Sequence, residues 1–216
     1  MENQEIVLRV TERISPKDIV FIIRYGNRKG RDIDLLAVVE NSIETRPYQV
    51  AQFDISEMRE RDYKRKLKLL DPIVTEPVLT GSLLLGNKER FTKIRKDLLK
   101  THPIEEGIEF LKRRAFEELN NTAYFICLYE HQKVKIYLLF ALIDLSFACS
   151  FHEWANYYKN HPNAFPITLS ALLSEITRPL LKDVIKILKT AKAGCLICKE
   201  QVIDLFQRAR LEIMTF

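Results

Sequence analysis

Tyr25-Gly26-Asn27-Arg28-Lys29-Gly30-Arg31-Asp32-Ile33-Asp34-Leu35 is the stretch on which the fold of this chain turns. A hydrophobic run over residues 19–23 leads into it, and another over 35–39 leaves it. Such runs, bounded by a glycine loop, predict two strands. Side chains alternate along a strand, so Asp32 and Asp34 point to one face while Ile33 and Leu35 point to the other. Two carboxylates about 7 Å apart along a strand can hold a divalent metal, or share two metals roughly 3.5–4 Å apart. Mg²⁺ is the expected ion, because it prefers oxygen and is commonly held by one or two carboxylates plus substrate phosphates. The glycine loop can offer backbone N–H groups to those phosphates. Lys29 and Arg31, on either side of Gly30, add positive charge.

Around this stretch the chain divides into two halves. Residues 1–101 mix strand and helix signals. Ile6, Val10 and Ile14 recur at i+4, which predicts a short amphipathic helix ended by Ser15-Pro16. Strands are expected over 18–25, 32–39 and 48–55, then a charged helix over 56–70 with Ser56 as its N-cap. A strand-like piece over 78–85 and a helix over 88–100 complete this half. Thr101-His102-Pro103 marks the expected boundary. Residues 102–216 predict helices over 104–120, 122–131, 134–158, 168–191 and 195–213. The fold class expected is therefore α+β, a small mixed sheet followed by an all-α helical bundle.

Composition narrows the chemistry without deciding it. The 216 residues carry 34 basic and 29 acidic side chains, a net charge of +5, which is too mild to demand a nucleic-acid partner. A phosphate-bearing substrate is compatible with it. The longest apolar stretch, 136–151, is interrupted by Asp144, and a membrane span needs roughly 20 apolar residues, so a buried core helix is expected there. The N-terminus lacks a basic segment followed by an apolar one, and four cysteines in such a chain read as free thiols, so the expected location is the cytoplasm.

The residues from 19 to 39 resemble the polymerase-β-like nucleotidyltransferase superfamily. Its pattern is a hydrophobic strand, a Gly-Ser turn, a variable segment with a second glycine, and Asp-hydrophobic-Asp on the next strand. The resemblance implies that Asp32 and Asp34 bind Mg²⁺ bridging the triphosphate of an NTP, with ATP the expected nucleotide. It also implies that Gly26 and Asn27, with Lys29 and Gly30 beside them, form the nucleotide-binding turn. A third carboxylate belongs on the next strand, and Asp54 is the acid that 48–55 offers. The segment 71–86 is similar to the piece that closes such domains, where a final strand follows a short helix. The helical half is similar to the bundles of kanamycin-nucleotidyltransferase or HEPN type. The reaction implied is transfer of a nucleoside monophosphate to an acceptor hydroxyl with release of pyrophosphate. The acceptor is a small molecule or protein more readily than a nucleic acid, and the helical half would present it or form part of a homodimer cleft. Two departures stand out: Asn27 replaces the serine of the turn, and the loop before Asp32 is short. They keep a second function open, that of a weakly active or inactive member acting as a regulatory, partner-binding module.

Other features have plainer readings beside functional ones. Arg59, Arg61, Lys64, Arg65, Lys66 and Lys68 fit a solvated helix face, or else a basic wall for nucleotide or acceptor, and Lys88, Arg90, Lys93, Arg95 and Lys96 invite the same two readings. Asp54 can be an exposed acid favoured by a following helix dipole. Cys195-Leu-Ile-Cys198 has the spacing of half a zinc site, but Cys127 and Cys149 stand far off, so buried helix cysteines are expected. Phe147, Phe151, Trp154, Tyr157 and Tyr158 lie at helical spacings and read as core. His102, His131, His152 and His161 show no metal spacing in sequence, though His152-Glu153 could orient an acceptor.

Overall fold

The computed structural model describes residues 3–12, 14–26, 33–40, 48–50, 53–175 and 179–215. The chain forms two compact units, one of Met1–Pro103 with Asn163–Thr168 and one of Ile104–Pro162 with Leu169–Phe216. The fold class is α+β, with a small mixed sheet in the first unit and helices in the second.

The first unit opens with helix α1 (Asn3–Thr11) and strands β1 (Ile19–Tyr25) and β2 (Ile33–Val39). Strands β3 (Tyr48–Val50) and β4 (Phe53–Arg59), then helices α2 (Glu60–Lys68) and α3 (Pro72–Thr80), follow. Strand β5 (Ser82–Gly86) and helix α4 (Lys88–Leu98) complete it. The sheet order is β3-β4-β2-β1-β5, and β2 runs parallel to β4 while the other neighbours are antiparallel. Residues 35–39 of β2 are all buried, because both faces of this central strand are covered. On one face Ile6, Val10 and Ile14 pack with Ile22, Leu35, Ala37, Val39 and Ile55. The i+4 spacing of those first three residues thus served to build this core. On the other face Phe21 meets Tyr63 and Phe91, with ring centroids 5.1 and 6.2 Å apart.

Three sequence expectations are corrected here. Residues 48–55 form two antiparallel strands rather than one. Ser56 caps no helix: β4 stays in register with β2 as far as Val39↔Arg59, and Arg59 is the N-cap of α2. A side-chain cap contributes about 1 kcal/mol, less than the parallel ladder and the burial of Ile55 and Met58 together. The strand-like piece expected over 78–85 starts later, because Asp71 opens a helix, its Oδ1 accepting from the Ile73 N–H at 3.0 Å. Residues 78–80 therefore belong to α3, with Val74 and Val78 buried one turn apart, and the strand begins at Ser82. Gly81 makes the change of direction possible. A Cβ there would stand 2.4 Å from the Pro77 carbonyl oxygen and 2.5 Å from Ile23 Cγ2.

The second unit comprises α5 (Glu105–Gln132), α6 (Ile136–Asn160), α7 (Leu169–Glu175), α8 (Pro179–Lys192) and α9 (Lys199–Met214). The break expected at Asn120-Asn121 is absent, and α5 runs through it. Asn121 donates to Glu118 Oε2 at 3.2 Å and Thr122 Oγ1 to the Glu118 carbonyl at 2.9 Å. Both bonds lie along the helix, so these side chains do not divert the backbone. The single helix expected over 168–191 is α7 and α8, and Pro179 opens the latter, a position that its fixed φ favours. Leu138, Ala141, Leu142, Leu145 and Ala148 of α6 pack with Leu180, Leu181, Val184, Val202, Leu205 and Ala209. Among the described residues α6 is the one helix long and apolar enough to cross a membrane, and 56% of that apolar window is buried.

Candidate functional site

Strand pairing sets three polar residues abreast. Tyr25 of β1 stands opposite Asp34 of β2, and Asp34 stands opposite Asp54 of β4. Register partners on neighbouring strands point to the same face, at a strand spacing of about 4.8 Å. Asp34 is half-buried and Asp54 is exposed. Period-2 alternation carries the same face of β4 on to Ser56, which is hydrogen-bonded to the Tyr25 hydroxyl.

The electrostatics follow from that placement. Burial, and then the carboxylate of Asp34, push the Tyr25 phenol up to about 12, with Ser56 pulling the other way and Asp54 adding to the rise. The phenol is therefore a neutral donor beside two acids throughout the physiological range.

Gly26 closes the site from the side of β1. Its φ of +76° lies in the left-handed region, and a Cβ would stand 2.2 Å from Asp34 Oδ2. The Asp34 carboxylate thus sits against the turn in space that glycine alone leaves open. Asp34 stands beside Asp54 across the strands and against Gly26 at the turn. Asp32, Asn27, Lys29, Gly30 and Arg31 lie outside the described residues.

The surroundings of Asp54 differ from expectation. A single strand would have put Val50 and Gln52 on its face, whereas the antiparallel pairing sets Gln49 opposite it. Asp54 also lies within β4, well before Glu60 opens α2, so no helix dipole explains it. Sequence reasoning missed Tyr25 and Ser56. The position of Tyr25 directly before Gly26 was one available signal, and the alternation from Asp54 to Ser56 was another.

A pair of carboxylates abreast on one face, one of them open to solvent, fits a divalent metal that brings its own phosphate ligands. Several cations of the basic helices are engaged within the fold. Lys64 pairs with Glu60 at 2.7 Å, Arg90 pairs with the same carboxylate, and Lys66 pairs with Asp71 at 3.1 Å. Arg95 donates to the carbonyls of Val78 and Gly81, each at 2.6 Å, and so holds the end of α3. In the helical unit Cys149 is buried, but Cys127, Cys195 and Cys198 are exposed, and α9 starts only at Lys199. The buried-helix reading of the last two cysteines is therefore wrong. Phe151, Trp154 and Tyr158 are core as expected, while Phe147 is exposed.

No family model matches this chain, and no curated protein matches it. Among solved structures it is similar to a nucleotidyltransferase-like protein from Exiguobacterium sibiricum 255-15, at 14% identity and a TM-score of 0.40, over 99% of this chain and 74% of that one. At that level of likeness the functional reading rests on this chain's own residues.

Proposed function

We propose that the chain is a nucleotidyltransferase, moving a nucleoside monophosphate from an NTP to an acceptor hydroxyl with release of pyrophosphate. The observation that carries this reading is the register Tyr25–Asp34–Asp54 beside the left-handed Gly26. Asp32 and Asp34 would hold Mg²⁺, which would supply positive charge to neutralise the negative charge that develops on the phosphates. Gly26 lets the backbone approach the triphosphate closely, as no side chain could. Asp54, exposed beside Asp34, would take the proton of the acceptor hydroxyl as its oxygen attacks the α-phosphorus and the pyrophosphate oxygen departs. Tyr25 keeps its proton and offers it as a hydrogen bond, which orients the acids without adding charge. Most of the rate enhancement then comes from positioning and electrostatic stabilisation.

Calorimetry with NTP and Mg²⁺, on wild type and on Asp32→Ala/Asp34→Ala, tests this reading. The wild type binds in a Mg²⁺-dependent manner and the variant does not. Absence of nucleotide binding by either protein would leave the fold as a partner-binding module. Labelled-NTP transfer to small hydroxylated compounds, proteins and RNA then identifies the acceptor.

A further inference from the structure

The second unit holds a cationic groove that the chemistry at the sheet does not use. Leu173 of α7 and Lys182, Ile185, Lys186, Lys189 and Thr190 of α8 line a surface groove of about 410 Å³. Lys186 and Lys189 are exposed, while Leu173 and Ile185 are half-buried and pack against the core of the bundle. The groove therefore has an apolar floor and a rim of ammonium groups. The sequence of α8 explains this layout. Leu180, Leu181 and Val184 are buried in the bundle core. Lys182, Lys186 and Lys189 recur at i, i+4 and i+7, which sets them along the opposite stripe of the helix.

The charge on this stripe is not answered from within the helix. The acid of α8 is Asp183, and Arg208 meets it at 3.1 Å. Among the described residues no carboxylate pairs with Lys186 or Lys189. On α5, by contrast, Lys112, Arg114 and Lys133 each meet a glutamate one turn away. Like charges at i and i+4 repel one another, and an acidic partner would relieve that repulsion. The rise of the helix spaces the lysines about 6 and 4.5 Å apart along its axis. Carboxylates at i, i+4 and i+7 of a second helix repeat that spacing, and an apolar side chain beside them can fill the floor of the groove. A single-stranded nucleic acid fits less well, because the lining residues described include no aromatic ring or guanidinium on which bases stack. An anionic membrane also fits less well, because the apolar face of α8 is turned into the bundle.

We propose that the α7–α8 groove docks an acidic amphipathic helix of a partner protein. Lys186 and Lys189 meet its carboxylates, and Leu173 and Ile185 receive an apolar side chain. The lysines set the rate of encounter and its dependence on salt, while the apolar floor supplies affinity that salt does not screen.

The test titrates the full chain into a fluorescein-labelled peptide of about 18 residues, long enough to form a helix, with glutamates at i, i+4 and i+7 and leucines beside them. Fluorescence anisotropy should report a Kd in the micromolar range that weakens at high salt. Lys186→Gln/Lys189→Gln, at exposed positions, should bind roughly 10-fold more weakly while its circular dichroism matches wild type. Replacing the leucines of the peptide by alanine should weaken binding by a similar factor. Lys93→Gln/Lys96→Gln, an equal change of charge in the first unit, should bind like wild type. Failure of the peptide to bind, binding unchanged in Lys186→Gln/Lys189→Gln, or binding indifferent to the leucines would each overturn the site. Tighter binding of a short single-stranded RNA, or of vesicles of phosphatidylserine and phosphatidylcholine, lost in Lys186→Gln/Lys189→Gln, would overturn it by assigning the groove to a nucleic acid or a lipid surface. Self-association in sedimentation that the same variant abolishes would assign it to a second copy of this chain.

Discussion

In the sheet, Asp34 and Asp54 are brought side by side by strand register, and Asp54 faces solvent. In the bundle, Glu153 and Glu212 meet from two helices and are largely withdrawn from water. Asp144 of α6 shares that condition, with its carboxyl raised to about 6 by burial and then by the charge of Glu118. Acids that stay hydrated cost the fold little and remain available to a ligand that brings its own charge. Acids that are buried act on stability first. The sheet acids should therefore be needed for function and dispensable for folding, and the bundle acids should show the opposite balance.

The largest expected effect tests the first half of that contrast. Asp34→Asn or Asp54→Asn keeps the shape of the side chain and removes its charge. On the proposed mechanism, NTP turnover measured by pyrophosphate release falls by roughly 10³-fold, several kcal/mol of transition-state stabilisation. The unfolding midpoint in urea stays close to wild type for Asp54→Asn, since Asp54 is exposed. A variant that unfolds without losing turnover would break the contrast.

Gly26→Ala comes next, because it displaces the carboxylate without replacing the residue that carries it. The added methyl would fall 2.2 Å from Asp34 Oδ2 and would sit at a φ of +76°. The strain costs about 1–2 kcal/mol of stability. Displacing Asp34 by about 1 Å should weaken turnover by up to roughly 10²-fold. Nucleotide affinity and unfolding, measured on the same preparation, separate the two losses.

The placement of Asp34 beside Gly26 was readable in sequence because it is local. Gly26 follows β1 and Asp34 lies near the start of the next strand, and alternation along one strand assigns each side chain a face. Asp54 needed one further step, the pairing of β4 with β2. Nothing in the sequence of 48–55 revealed that 48–50 and 53–55 belong to two antiparallel strands, so Gln49 was not foreseen opposite Asp54. Ser56 was misread because a serine before acidic residues satisfies the rules for an N-cap equally well. In the bundle, the apolar core was legible from helical periodicity, but Glu212 beside His152 and Glu153 was not. No spacing rule links residues of α6 to α9, and packing of those helices alone brings them together. The continuity of α5 through Asn120-Asn121 escaped for the reverse reason, since local propensity argued for a break and side-chain bonds along the helix removed it.

Asp144 tests the second half of the contrast at lower amplitude. Its folded pKa of about 6 lies above the ordinary carboxylate value, so the folded state binds the proton more tightly than the unfolded one. Below the unfolded pKa both states are protonated and no penalty exists. As pH rises through the interval up to about 6, stability falls, and the penalty is complete above that value. Asp144→Asn should therefore stabilise the protein by about 1–2 kcal/mol at pH 7–8, allowing for solvent screening of a half-buried group, and by almost nothing near pH 4. The difference between the two proteins' denaturation midpoints across that range isolates this one group.

The smallest effect bears on the boundary between the two kinds of acid site, because Tyr25 is half-buried yet belongs to the sheet. Tyr25→Phe removes the hydroxyl bonded to Ser56 and leaves the ring. The loss should be about 1 kcal/mol, the net value of one neutral hydrogen bond. Its pH dependence has a definite sign. A phenol raised to about 12 in the folded state ionises less readily there than in the unfolded chain, so wild-type stability declines above pH 10, where the unfolded phenol begins to ionise. Tyr25→Phe lacks that decline, and the two stability curves should converge as pH rises past 10. Because the phenol is neutral at pH 7, turnover of Tyr25→Phe should fall only several-fold, with the pH profile of the reaction unmoved. A profile that shifts with Tyr25→Phe would mean that the tyrosine exchanges a proton during the reaction, and would move it from orienting the acids to sharing their chemistry.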